Sequence, residues 1–146
     1  MNPVLVYLAQ TETTAGFLSQ NSLSLCKIKN RPNNKPFLMS VDSLQTLKRF
    51  TRVFEQHKNR IRRAQKTTFA YPNGLAIRVV KEDCHLEFLK KLTWSYSTSS
   101  NPSGLAFDEA FALEKADVVV YTKDGFFEST PSSIFKLSSK RVKQLR

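Results

Sequence analysis

Ser97-Thr98-Ser99-Ser100-Asn101-Pro102-Ser103-Gly104 follows a strand-like Trp94-Ser95-Tyr96, and six of its eight residues carry hydroxyl or amide side chains. A strand end that dissolves into such a run gathers many short hydrogen-bonding groups at one point. Asn101-Pro102 suits a cap or turn, and Gly104 lets the backbone come close to a ligand. Phosphate and nucleotide sites are built in this way, from hydroxyls and free backbone N–H groups where strands end. A second cluster is cationic. Lys27, Lys29, Arg31 and Lys35 fall within nine residues ahead of the apolar Phe37-Leu38-Met39-Ser40-Val41, with Pro32 and Pro36 fixing the path of the loop. On extended backbone Lys29 and Arg31, two apart, point to one side. An arginine fork beside a lysine point charge suits a polyphosphate. A third cluster follows the strand-like Val4-Leu5-Val6-Tyr7-Leu8-Ala9, where Thr11-Glu12-Thr13-Thr14-Ala15-Gly16 again ends a strand in hydroxyls and a glycine.

Taken together, the clusters resemble the YrdC-like family, whose characterised enzymes are threonylcarbamoyl-AMP synthases. The order is a strand then T-[DE]-T-x-x-G (residues 11–16), a helix then K-x-R-x-x-x-K-P (29–36), a strand with A-x-R (Ala76-Ile77-Arg78), then S-T-S-x-N-x-S-G (97–104). Pro131-Ser132-Ser133-Ile134 is a fifth match, similar to the family's P-S-T-[IV] segment. The resemblance spans nearly the whole chain. Three departures accompany it. Ala15 stands where many members carry Tyr or Phe near the amino-acid substrate. The family's W-P-G-P-x-T segment appears as Arg62-Arg63-Ala64-Gln65-Lys66-Thr67-Thr68, without the Pro-Gly turn. The chain is also shorter than most members.

The resemblance implies an open, twisted, mixed α/β sheet with flanking helices and a large concave groove. It implies an ATP-dependent nucleotidyltransferase in which L-threonine and bicarbonate form a carbamate that attacks the α-phosphate of ATP. Threonylcarbamoyl-AMP and pyrophosphate result, and downstream tRNA threonylcarbamoyltransferase proteins use the adenylate to modify tRNA. Such a reaction needs positioning and charge neutralisation more than acid–base machinery. By the same resemblance, Lys29 and Arg31 hold phosphate oxygens and form the catalytic pair, with Lys35 assisting and Mg²⁺ accompanying ATP. Ser97, Ser99 and Asn101 contact the nucleotide, Thr11 and Thr13 line the threonine or carbamate pocket, and Ser132 and Ser133 contribute. Arg78 lies among Leu75, Ile77 and Val79 and points away from Ile77's face. It needs an anionic partner, either a substrate carboxylate or phosphate, or an internal Glu or Asp. Glu12 alternates away from Thr11 and Thr13 and reads as structural. His57 and His85 stand alone and read as surface or packing residues. A groove lined by residues 11–16, 29–35, 78 and 97–104 is the expected site. Two other functions fit the same motifs: an RNA-binding paralogue (double-stranded or ribosomal RNA) without synthase activity, and a carbamoyl-adenylate enzyme with another acceptor.

The elements that must position these groups fit 146 residues as one domain, 1–146, ending in a short basic tail at about 138–146. The net charge is +11, and residues 27–66 hold twelve Lys and Arg against only Asp42 and Glu55. Residues 82–128 hold nine of the twelve acids. Such asymmetry attracts polyanions, from a nucleotide triphosphate to tRNA. Neither an aromatic RNP signature nor a zinc knuckle is present. Cys26 and Cys84 lack metal or redox spacing and read as reduced residues at apolar helix positions; no protein-held metal is expected. With no basic n-region and no apolar run of roughly 18 residues, a cytoplasmic protein without membrane contact is expected.

Apolar runs predict strands near 4–9, 37–41, 67–71, 75–80, 94–98, 117–122 and 132–137. Asn21 or Ser22 caps a helix carrying Leu23, Cys26 and Ile28. Asp42 or Ser43 caps a longer one with Leu44, Leu47, Phe50, Val53 and Phe54 on one face. Further helices cover Leu86 to Leu92 and about Asp108 to Lys115. Tyr71-Pro72-Asn73-Gly74-Leu75 reads as a hairpin turn.

Overall fold

The computed structural model describes residues 1–146 except Asn33 and Lys35. In chain order the elements are β1 (Tyr7–Gln10), β2 (Ala15–Ser19), α1 (Ser22–Lys29), β3 (Leu38–Val41), α2 (Leu44–Leu47), α3 (Glu55–Arg63), β4 (Thr67–Ala70) and β5 (Ala76–Val79). There follow α4 (Asp83–Lys90), β6 (Trp94–Ser99), α5 (Glu109–Lys115), β7 (Val118–Val119), β8 (Ser133–Leu137) and β9 (Val142–Gln144). The strands form one mixed sheet of order β7-β1-β2-β6-β3-β5-β4-β8-β9. Three of its pairs are parallel: β1–β7, β3–β5 and β4–β8. This is the open mixed α/β sheet that the sequence led one to expect.

Strand alternation gives the sheet two unlike faces. On one face Met39, Val41, Ile77, Val79 and Phe69 pack with Leu47 and Ile61 of α2 and α3. Farther along the same face, Leu8, Ala15 and Phe17 pack with Leu25 of α1 and Ala112 of α5. On the opposite face α4 covers only one part, where Phe88 meets Tyr7, Ala9 and Leu18. Next to α4 that face carries Ser40, Thr68, Arg78 and Ser95, and it opens into a groove.

Local chemistry explains most element ends. The Asn21 side chain accepts from Leu23 N and Ser24 N to start α1, and Asn30, in the left-handed region at φ 49°, ends it. Ser43 caps α2, but the longer helix expected to run to Phe54 stops after four residues, and α3 starts only at Glu55. After Leu47 the bonds Arg49 N→Thr46 O and Phe50 N→Leu47 O tighten the turn, and the chain leaves the helix through Thr51–Arg52–Val53. Two β-branched residues there disfavour continuation, while Phe50 and Val53 still reach the core. The hairpin is present: Tyr71 N donates to Leu75 O, and Gly74 turns at φ 88°.

Two strands were not foreseen. β2 lies between β1 and β6 and is buried on both faces, so it lacks the alternation that marks a strand in sequence. β9 lies within the basic segment at 138–146 and pairs with β8; Lys143 sits on it as an edge-strand cation. Cys26 is buried as expected. Cys84 is exposed, in the first turn of α4 beside Glu82, which raises its thiol pKa.

Candidate functional site

Arg78 is the centre of the open face. Cross-strand register sets Ser40 of β3 directly beside Arg78 of β5, and Ser95 of β6 beside Ser40. Arg78 is buried at 5% exposure. Its Nε donates to Thr68 Oγ1 at 3.3 Å, its Nη2 to Ser132 Oγ at 3.0 Å, and its Nη1 lies 4.0 Å from Glu12 Oε2. Burial pulls the Arg78 pKa down, the Glu12 carboxylate opposes this, and Arg146 adds to the lowering. Arg146 comes from beyond β9 and donates from Nε to Ser132 O at 2.9 Å and from Nη2 to Ser132 Oγ at 3.1 Å. Two guanidiniums therefore converge on one serine hydroxyl.

Three loops complete the groove. After β1, Thr11 N and Oγ1 both donate to Thr14 O, closing a tight turn. Gly16 is required next to it, because a Cβ there would lie 3.0 Å from Thr11 Cγ2 and 3.1 Å from Thr98 O. After β6, Ser100 N and Oγ donate to Ala15 O, and Gly104 at φ 76° closes the 102–105 turn. Before β8, the segment around Ser129 is tied across the groove mouth. Ser129 N donates to Thr13 O, and the Gln10 amide exchanges two hydrogen bonds with the backbone of Phe127. One cavity of about 320 Å³ is lined by Thr11, Thr13, Arg31, Arg78, Ser97, Ser99, Ser132 and Arg146, among others. A neighbouring one of about 360 Å³ shares Thr13, Arg78, Ser99, Ser132 and Arg146 and adds Asn101, Phe107 and Glu128. Three arginines and a ring of hydroxyls have the chemistry that suits a multiply charged anion.

The family model Sua5/YciO/YrdC, described as telomere recombination, matches residues 11–146. The chain belongs to the Sua5/YciO/YrdC family. Solved structures with the same fold include P. abyssi Sua5 complexed with L-threonine, at 16% identity and a TM-score of 0.79, over 97% of this chain and 50% of that one. E. coli YciO matches at 14% identity and a TM-score of 0.77, over 98% of this chain and 82% of that one. Full-length HypF in a phosphate- and nucleotide-bound form matches at 15% identity and a TM-score of 0.76, over 97% of this chain and 26% of that one. The chain spans about half the length of the Sua5 structures. No curated protein sequence matches it.

Within this Sua5/YciO/YrdC frame the candidate residues do not all sit as expected. Thr11, Thr13, Arg31, Arg78, Ser97, Ser99 and Ser132 share one cavity, and Asn101 lines the adjoining one. Lys29 and Arg31 do not project side by side from extended backbone, because Lys29 ends α1 and Asn30 turns the chain. Lys29 Nζ instead donates to Ser99 O at 3.0 Å and to Asn101 O, and Ser103 Oγ returns a bond to Lys29 O. Burial, then Arg31, lowers the Lys29 pKa. Lys29 thus braces the 99–104 turn, and it shares a shallow pocket with Arg31, Ser99 and Asn101. Arg31 lies over the Phe37 ring at 4.5 Å and donates to Pro36 O. Lys35 lies outside the described residues. Ser133 pairs within β8, where its N–H donates to Lys66 O.

Ala15 does not border these cavities: its side chain sits in the apolar cluster under α1 and α5. For Arg78 the internal partner is Glu12, and its placement on the groove wall leaves it able to meet a ligand as well. His57 is buried and donates from Nε2 to Ser138 O, and His85 is buried under α4, so neither histidine lies on the surface. Sequence reasoning missed Phe107, Glu128 and Arg146. Thr14 lies in the expected groove, on its wall; Arg146 had no signal, since only the β8–β9 pairing brings it to the groove.

Proposed function

We propose that this chain is an L-threonylcarbamoyladenylate synthase domain, forming threonylcarbamoyl-AMP and pyrophosphate from L-threonine, bicarbonate and ATP. The observation that carries the reading is the convergence of Arg31, Arg78 and Arg146 on one hydroxyl-lined cavity. Family membership and the threonine complex of a fold relative agree with it.

In this reading the amine of threonine takes up bicarbonate with loss of water, and a carbamate oxygen attacks the α-phosphorus as pyrophosphate leaves. Both reactants are anions, so the barrier falls when fixed cations and hydroxyls hold them together. Arg78, backed by Thr11 and Thr13, would hold the amino-acid carboxylate. Arg31 and Arg146 would meet the triphosphate, with Ser97, Ser99 and Asn101 at the nucleotide and Lys29 stiffening that loop. Mg²⁺ would travel on the triphosphate, since guanidiniums and hydroxyls suit the phosphate oxygens rather than the cation. A cytoplasmic setting and hand-over to tRNA-modifying proteins belong to the same proposal.

The test is pyrophosphate release by the purified chain with ATP, bicarbonate and Mg²⁺, with and without L-threonine. Threonine-dependent release is expected. ATP binding without release would point to another acceptor. A second reading, RNA binding without synthesis, draws on the exposed Arg60, Arg62 and Arg63 of α3, which His57 joins to the β8–β9 turn. RNA affinity that falls steeply with salt, with no ATP binding, would favour it.

A further inference from the structure

Glu12 belongs to the T-E-T turn yet faces away from the cavity, and its surroundings are unusual for a structural carboxylate. Its side chain is 5% exposed. Oε1 accepts from Lys81 N at 2.9 Å and Glu82 N at 3.1 Å, the two backbone donors where β5 turns into α4. Oε2 has no hydrogen-bond partner among the described residues. It stands 4.0 Å from Arg78 Nη1, which is too long for a hydrogen bond. The carboxylate is thus anchored on one side by backbone and offers charge, but no fork, on the other.

That standoff has a consequence for Arg78. A buried guanidinium needs a compensating charge. A bidentate carboxylate would supply it but would also consume the planar edge that recognises a ligand. Glu12 compensates the charge from behind, while Thr68 and Ser132 fix the plane from the sides. Nε and Nη2 are engaged by these hydroxyls, and Nη1, which makes no hydrogen bond among the described residues, keeps its donors for a ligand. His85, 1% exposed on α4, packs on the same side. Its ring nitrogens make no hydrogen bond among the described residues, so it does not compete for the Glu12 oxygens.

We infer that Glu12 is the positioning residue for Arg78: it holds the guanidinium in the orientation that receives the carboxylate of the amino-acid substrate. This rests on the synthase reading for the identity of that substrate. The sign of the effect separates positioning from mere charge. Removing a nearby negative charge should tighten anion binding if Glu12 acts only through its field. Removing an orienting group should weaken binding of a ligand that needs the fork.

The experiment is calorimetric titration of wild type and Glu12→Gln with L-threonine and, separately, with inorganic pyrophosphate. Glutamine keeps the Oε1 acceptor for Lys81 and Glu82 and loses the charge. We expect the threonine dissociation constant to rise about tenfold, the scale of one charge-assisted hydrogen bond, with pyrophosphate within twofold of wild type. The Arg78 Nε–Hε NMR signal should broaden in the variant. Unchanged or tighter threonine binding by Glu12→Gln overturns the inference and leaves the synthase reading intact. Absence of threonine binding by wild type sinks the substrate assignment instead. If Glu12→Gln does not fold, Glu12→Asp, which keeps the charge but withdraws it by one methylene, takes its place in both titrations. Weaker threonine binding with pyrophosphate unchanged supports the role, and unchanged threonine binding overturns it.

Discussion

The two faces of the central sheet are built from the same strands and do opposite things. On β5, Ile77 and Val79 enter a core of aliphatic and aromatic side chains under α2 and α3, while Arg78 between them points into a bed of Ser40, Thr68 and Ser95. On β3, Met39 and Val41 flank Ser40 in the same way. The first face is almost wholly apolar, with the Tyr71 hydroxyl its one unpartnered polar atom among the described residues, and it gains stability from each methyl it buries. The second keeps a buried guanidinium, a carboxylate and several hydroxyls. Ser40 Oγ and Ser95 Oγ have no hydrogen-bond partner among the described residues. Burying polar groups without partners costs free energy, so these hydroxyls do not stabilise the fold as the aliphatic side chains opposite do. Adjacent positions of one strand therefore divide the apolar core from the groove wall.

The sharpest way to break that division is on β5 itself. Arg78→Lys keeps a cation near Glu12 but removes the fork. Threonine-dependent pyrophosphate release should fall roughly 100-fold or more, with little change in thermal midpoint. Ile77→Ala, one residue away, should cost about 2–5 kcal/mol in urea unfolding and leave turnover per folded molecule near wild type. Equal loss of activity in both variants would mean that the two faces are not separable.

The next effect is read as pH dependence. His85 is buried on the polar side, and desolvation, then Arg78, lowers its pKa to about 3 from the ordinary 6.5. The unfolded chain takes up a proton on this ring below about 6.5, whereas the folded chain resists until about 3. The His85 contribution to stability is thus fully present above 6.5 and lost as pH falls toward 3. The slope is at most about 1.4 kcal/mol per pH unit for one proton. His85→Gln should flatten that part of the stability profile. A profile as steep as wild type would move the acid sensitivity to other groups.

How the sequence displayed these faces depended on the element. The three clusters at strand ends were visible because hydroxyls, cations and glycine concentrate there, and the polar residues between apolar ones marked Arg78. β2 was hidden because a central strand buried on both sides looks like any short apolar run, and its Gly16 suggested a turn. The split of α2 from α3 was hidden because Phe50 and Val53 keep a helical spacing in a non-helical segment. Lys29 read as a ligand because its charge was plain, while the carbonyls of Ser99 and Asn101 that engage it are 70 and 72 positions away. Arg146 shows the limit most clearly: its place in the groove depends wholly on which strand its neighbours pair with.

A smaller effect sharpens the comparison at the groove mouth, where polar contacts hold a segment rather than a ligand. Lys66, at φ 49° between α3 and β4, donates from Nζ to Ser129 Oγ at 2.7 Å and Thr130 Oγ1 at 2.8 Å. These bonds are exposed, so each contributes at most a fraction of the usual 1 kcal/mol or so. The same segment is held independently by the Gln10 pair with Phe127 and by Ser129 N→Thr13 O. Lys66→Met should therefore leave the thermal midpoint within about 1–2 °C of wild type. Its effect belongs in ligand capture, because Ser129 and Pro131 wall the cavity that Arg78 and Arg146 enter. A two- to threefold rise in the threonine KM with unchanged kcat, roughly 0.5 kcal/mol, is the expected reading. An unchanged KM would show that Gln10 and Thr13 suffice to seat the segment, and that the Lys66 contacts are surface decoration on a mouth already closed.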